Sequence, residues 1–357
     1  MPPHPLVPSR VTGLAGLTAA AALALGACAA PNPSAAAGTV VVAGYGGSYQ
    51  EAFEQSVIPG FEKSCGCKVT YIAGSSTDTV AKLKAQAGRP QIDVALIDDG
   101  PQAQAAQAGL LAKLDPARVT RLPQVAELAR LPGDVGVGFG LTATGIAYNP
   151  DWFAENGLPE PTSLEDLASP KLKDKVVLPS ITNTYGVHLL VMAAKAGGGS
   201  EKNIQPGFDV VRRLAANAVT FDNTADVSNY FLQGQAAASV WGKSRVETLA
   251  DKKFPIKFVY PKEGAVPLLA TANVVNKAPH PDLAARFVNE LLGPEAQKKL
   301  AQDGYDGPTV KSVQLDPALR DKVVNLDRAA ELTRLDWATV NAGRSAWTDT
   351  WNKRVEA

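Results

Sequence analysis

Three short polar loops in this chain have the chemistry of an anion site. Gly46-Gly47-Ser48, Ser75-Ser76-Thr77 and Thr182-Asn183-Thr184 each stand just ahead of a helical pattern. Free backbone amides and the positive end of the helix dipole gather there, and these residues add hydroxyls and amides without bulk. A carboxylate, phosphonate or phosphate suits such loops. The same residue types also cap helices with no ligand nearby, and that alternative stands at every one of them. Asp98-Asp99 has the opposite sign. Paired carboxylates at a strand end can hold a cationic amine, or one of them can cap the helix beyond Pro101. Tyr45 and Tyr185 offer rings that could stack on or enclose a solute.

Catalytic patterns are sparse. Gly44-x-Gly46 after a strand imitates a dinucleotide fingerprint, but Tyr49 occupies the third glycine position and no acid ends the second strand near Ala73. Gly-x-Ser-x-Gly and His-Glu-x-x-His do not occur. The three histidines are His4, His188 and His280, too few for a histidine-rich metal site. Cys65 and Cys67 flank Gly66, which fits a left-handed helix cap. The pair can close a small disulfide in an oxidising compartment or pack as two thiols; one Cys-x-Cys is weak evidence for metal. No enzyme and no cofactor is expected. Catalysis on the same scaffold is the alternative to test, through turnover of any bound solute.

Charge is balanced, with 35 basic and 35 acidic side chains. Removing residues 1–27 takes away only Arg10, leaving 34 against 35. Nucleic acid is not an expected partner, because phosphate neutralisation needs a basic patch.

Alternating strands and helices must position these groups. Strands are expected at Thr39–Ala43, Lys68–Ala73, Asp93–Ile97, Val176–Leu178, Val219–Phe221, Ala237–Trp241 and Leu268–Val275. Helical spacing covers Tyr49–Phe61, interrupted at Pro59-Gly60, then Thr79–Ala87, Tyr185–Ala196, Phe208–Ala215, Val227–Gln233, Pro281–Leu292 and Pro294–Gln302. Val135–Phe139 and Thr144–Asn149 read as two paired extended segments. The last forty or so residues read as amphipathic helix with Trp337, Trp347 and Trp351 as packing residues. The strand–helix alternation predicts a mainly parallel sheet with helices on both faces. About 320 residues exceed one ordinary core, so two lobes are expected.

The N-terminus has a basic start at Arg10, a short apolar run Val11–Leu25 and small residues behind it. That pattern predicts a signal peptide over residues 1–27, too short to span a bilayer comfortably. Leu25-Gly26-Ala27-Cys28 resembles a bacterial lipobox. The resemblance implies cleavage before Cys28 and lipid on that cysteine; an ordinary Ala-x-Ala cleavage is the alternative. Residues 28–38 hold two prolines and no periodicity, so they read as a linker. The mature chain is expected in the periplasm, tethered to a membrane by lipid alone, or free there if Cys28 is unmodified.

Val41-Val42-Ala43-Gly44-Tyr45-Gly46-Gly47-Ser48-Tyr49-Gln50-Glu51-Ala52-Phe53 and Pro59-Gly60-Phe61-Glu62-Lys63 resemble the opening of type II periplasmic solute-binding proteins. The similarity is to the spermidine/putrescine-like branch, itself related to ferric-ion binders. Pro90–Val94, Ala108–Leu111, Gly145–Asn149, Gly234–Trp241, Gly293–Gln297 and Gly304-Tyr305 continue it in order. The resemblance implies two α/β lobes joined by a hinge of two crossovers, 39–142 plus 271–306 and 143–270 plus 307–357. It implies capture of a small solute in the cleft, for a permease driven by a cytoplasmic ATPase, by a monomer. Cleft residues on this basis are Tyr45, Gly47, Ser48, Ser76, Asp98, Thr184, Tyr185 and Trp241, with Thr142 and Thr271 at the crossovers; a core role is the alternative for Trp241. Polyamine binders of the branch carry acids where this chain has Thr184, Val187 and Thr271. A dication in a dry cleft needs carboxylates, so a small anionic or zwitterionic solute is expected, with a polyamine as the alternative. A sensory lipoprotein without a transporter is the remaining alternative.

Overall fold

The computed structural model describes residues 38–356; the signal sequence, Cys28 and nearly all of the linker lie outside them. Nine strands among the described residues form one mixed sheet: β1 (Thr39–Gly44), β2 (Lys68–Ala73), β3 (Val94–Asp98), β4 (Val137–Tyr148), β5 (Val176–Pro179), β6 (Ala218–Asp222), β7 (Ala238–Gly242), β8 (Lys257–Val259) and β9 (Val266–Val274). Their order is β2-β1-β3-β9-β4-β7-β5-β6, with β8 on β4. The outer groups β2-β1-β3 and β7-β5-β6 are parallel, whereas β9 and β4 run antiparallel to their neighbours. Parallel groups need helical crossovers, which supply helices to cover both faces.

Two lobes follow from two separate cores. Val40, Val42, Phe53, Phe61, Leu96, Phe139 and Phe287 pack together in the first. Ile146, Leu178, Val187, Leu190, Phe208 and Trp351 pack in the second, with a smaller cluster of Val177, Phe231, Trp241 and Leu249 beside it. The C-terminal stretch visits both: Val310, Val324 and Ala329 join the first core, Val340, Trp347 and Trp351 the second.

The two extended segments expected around Thr142 are a single strand, β4, rather than a pair. All of its residues are buried. Such a strand needs partners along its whole length; β9 takes its first part and β7 and β8 its second. Gly138 and Gly140 mark a bulge within it, not a turn. Pro59 likewise does not break its helix. A π-helical turn, Phe53–Val57, links the helices Ser48–Ala52 and Ile58–Cys65. The wider turn lies where the proline ring would otherwise meet the carbonyl four residues earlier. That helix ends on Gly66 in the left-handed conformation, φ 64°, and Cys65 and Cys67 are joined by a disulfide across it.

The β7–β8 connection holds a helix, Lys243–Asp251, that the sequence reading lacks. Its apolar inner face is only Val246, Leu249 and the half-buried Ala250, a stripe too short to stand out. This helix carries one of the central groups of the site.

Candidate functional site

Three helices aim their N-termini at a small cavity between the lobes. Ser75 caps the helix Ser76–Ala85 in a reciprocal arrangement with Asp78. Asn183 caps Thr184–Ala196 by accepting from the Gly186 amide at 3.0 Å. Lys243–Asp251 starts against β4, where the Ser244 amide donates to Thr142 Oγ1 at 3.0 Å. The cavity holds about 40 Å³. Its lining includes Tyr45, Tyr49, Ser76, Asp98, Thr142, Thr184, Tyr185, Arg245 and Asp306, with Leu268 and Ala270 as an apolar floor.

Asp98 sits at the N-cap position of the helix Asp99–Gln107 and makes no side-chain capping bond. Its Oδ2 accepts from Thr184 Oγ1 at 2.5 Å, and its own amide donates to Ser76 Oγ at 3.1 Å. Asp99 turns away and accepts from the Trp337 indole at 2.7 Å. Asp306 follows Tyr305, a non-glycine residue held left-handed at φ 55°. That turn directs Asp306 to the Tyr49 hydroxyl, which donates to its Oδ2 at 2.6 Å. Burial pushes the Asp306 carboxyl up to about 7, with Tyr49 and Arg245 pulling the other way. Burial also raises Asp98, although Thr184 offsets part of the effect.

Arg245 is the cation of the site, and its side chain is 5% exposed. One guanidinium nitrogen donates to Ser48 Oγ at 2.8 Å and to Asp226 Oδ2 at 3.2 Å, another to the Gly46 carbonyl at 3.3 Å. Burial works against the charge on Asp226, but Arg245 and hydrogen bonds from Ser228 and Ser48 together outweigh it and hold that carboxyl below its ordinary value. The Tyr45 hydroxyl is buried against the cavity, close to the Asp98 carboxyl but in no hydrogen bond of good geometry. Burial drives its proton affinity well up, so it stays a neutral hydroxyl.

Of the ten cleft positions expected from sequence, Tyr45, Ser76, Asp98, Thr142, Thr184 and Tyr185 line this cavity. Gly47 and Ser48 stand beside it: Gly47 on a neighbouring space, at φ 65° with no room for a Cβ next to Asp226, and Ser48 under Arg245. Two positions do not line it, although Trp241 borders a further space with Ser48 and Arg245. Trp241 is 2% exposed, stacks on Phe231 and donates its indole N–H to the Ala225 carbonyl at 3.1 Å. It is a core residue because strand alternation from β7 sends it into the Phe231 cluster. Thr271 is fully buried and donates to the Ile97 carbonyl at 2.6 Å, between β9 and β3. Tyr49, Arg245 and Asp306 were not anticipated as site residues. The Asp after Gly304-Tyr305 was the available signal for Asp306, and the Val246/Leu249/Ala250 spacing for the helix of Arg245.

Two cores, two long antiparallel strands shared between them and a polar cavity at the strand ends define a two-lobed periplasmic binding protein. Residues 57–325 match the family model described as bacterial extracellular solute-binding protein, and the chain belongs to that family. Over 290 residues it is 26% identical to the spermidine/putrescine-binding periplasmic protein 1 of Haemophilus influenzae, covering 76% of this chain and 79% of the relative. It is 25% identical over 275 residues to iron uptake protein A1 of Synechocystis, covering 72% and 73%. Among solved structures, the periplasmic binding protein AgtB of A. tumefaciens R10, in complex with agropinic acid, superposes with a TM-score of 0.76 at 25% identity, covering 90% of this chain and 99% of that one. The chain is thus a substrate-binding protein of the ABC-importer class, with a small-molecule ligand and permease partners. No helix among the described residues is long and apolar enough to cross a membrane.

Proposed function

We propose that this protein captures a small zwitterionic solute between its lobes, outside the cytoplasmic membrane, and hands it to its permease without chemical change. The lobes rock about crossovers at Thr142 and Thr271, the first lobe being 39–142 plus 271–306 and the second 143–270 plus 307–357. Cys28 tethers the mature monomer through lipid.

One observation carries the ligand class: both signs of charge meet on one small cavity. Asp98 and Asp306 suit an ammonium group. Three helix N-termini suit a carboxylate, and the Arg245 guanidinium, paired with Asp226, adds positive field beside them. A purely anionic solute would leave two buried carboxylates without a counter-charge, which is costly. The Tyr45 hydroxyl gains its missing partner from either end of a zwitterion.

Polyamine binding is the second reading, favoured by the Asp98–Asp306 pair and by the name of the Haemophilus relative. Against it stand Arg245 and three helix N-termini on the same cavity, which repel a second ammonium group.

Thermal shift and calorimetry with L-serine, putrescine and succinate separate the readings. Serine at a hundred times its Kd stabilises the native state by about 2.7 kcal/mol, a shift of several degrees. Stabilisation by putrescine and by neither of the others hands the site to polyamines.

A further inference from the structure

We propose that the solute has a second part, a neutral hydroxyl-rich tail, seated in a larger chamber just outside the one that holds its head. This rests on the zwitterion reading above. The outer chamber holds about 650 Å³ against about 40 Å³ inside, and the two share Ser75, Thr77 and Ala225 as a common wall. A head of a few heavy atoms fills the inner chamber, so anything more on the solute must pass this wall. The Thr77 hydroxyl donates to the Thr182 carbonyl at 2.8 Å from one lobe to the other, at the passage between the two spaces.

The outer walls say what the tail is. They are Gly46, Gly47, Ala73 and Gly74, which add no bulk, and the polar Thr182, Asn223 and Thr224. The two acids there are already committed. Asp78 closes the cap with Ser75, and Asp226 is paired with Arg245. No lysine or arginine lines the chamber among the described residues. A second ammonium therefore finds no free counter-charge, and the nearest cation left to a second carboxylate is Lys82, behind Gly74. The large aromatic and aliphatic residues of the inner chamber are also missing, so an apolar tail gains little burial. Short hydroxyl and amide side chains with open glycine backbone match a chain or ring of hydroxyls, which both donate and accept.

Calorimetry with L-serine, O-glucosyl-L-serine and O-benzyl-L-serine tests this with one head and three tails. The expected result is a glucosyl compound binding at least about ten-fold tighter than serine, with the benzyl compound no tighter than serine. Gly74→Leu then narrows the gap between glucosylserine and serine. A side chain is tolerated at Gly74, since its Cβ would meet only Lys82 Nζ at 3.5 Å and Asp78 Cβ at 3.8 Å. The exposed Asn223→Ala is a second variant with the same expected direction. Equal affinity for all three compounds, or an undiminished gap in both variants, overturns the outer-chamber assignment and leaves the head reading standing. Binding of none of them overturns both.

Discussion

Thr184 in the second lobe and Asp98 in the first share a hydrogen bond, Oγ1 to Oδ2 at 2.5 Å. It joins the N-terminus of one helix to the carboxyl end of β3 across the cleft. Two further bonds have the same character: Thr77 to the Thr182 carbonyl at 2.8 Å and Arg245 to Ser48 at 2.8 Å. Contacts of this kind exist only while the lobes are together, so they bias the open–closed equilibrium and add nothing to either lobe alone.

Thr184→Val removes the hydroxyl while keeping the shape. Asp98 loses a donor from a buried carboxylate, worth about 1.5–3 kcal/mol. The whole loss falls on the closed state, so solute affinity drops by about ten-fold or more. Thermal unfolding without solute stays close to that of the parent, because each lobe's core is untouched. Solution scattering checks the mechanism: the variant stays open at solute concentrations that close the parent.

Tyr45→Phe removes a hydroxyl that lies beside Asp98 without a well-formed protein hydrogen bond. Relieving a buried unsatisfied group should leave the unliganded protein as stable or slightly more so. Affinity should fall by about 1 kcal/mol or more, because the solute supplies the missing partner. Calorimetry on the purified variant reads both. An unchanged Kd would detach Tyr45 from the solute.

Much of this arrangement was legible in the sequence, for a definite reason. Residues announced by backbone chemistry, such as Ser76 and Thr184 behind their caps and Asp98 at a strand end, were found because capping and strand termination are local signals. Asp98 and Asp99 illustrate the limit. Adjacent in sequence, they part company because Thr184 and Trp337 approach from different elements. Asp306 owes its place to the left-handed turn at Tyr305, a conformation with no glycine to advertise it. Trp241 misled because an aromatic at a strand end looks the same whether it faces cleft or core; only Phe231, ten residues away, decides.

Trp241→Phe and Trp241→Ala should therefore act on stability before affinity. The alanine change empties a fully buried site and costs about 3–5 kcal/mol. The phenylalanine change keeps the ring on Phe231 and loses the bond to the Ala225 carbonyl, about 1 kcal/mol. Kd of the folded phenylalanine variant should stay within about three-fold of the parent's, under 1 kcal/mol. Denaturant titration and calorimetry together separate this from direct ligand contact, which would show the reverse pattern.

Asp306 makes the protein's stability and its binding depend on pH in opposite senses. Its carboxyl is raised from 3.8 to about 7, chiefly by burial. Below the unfolded value both states hold the proton, and the contribution is complete. Between the two values the native state keeps a proton that the unfolded chain releases, so stability falls as pH rises through that window. The slope is about 1.4 kcal/mol per unit at most. Asp306→Asn keeps the neutral shape and removes that slope, so its melting temperature should exceed the parent's at pH 8 and match it near pH 4. An ammonium group beside Asp306 favours the ionised form, so solute binding near pH 6.5 should release a proton. Calorimetry in buffers of different ionisation enthalpy measures that release directly. Asp306→Asn should reduce it and bind the solute more weakly at pH 8. An identical proton count in parent and variant would mean that Asp306 does not face the charged end of the solute.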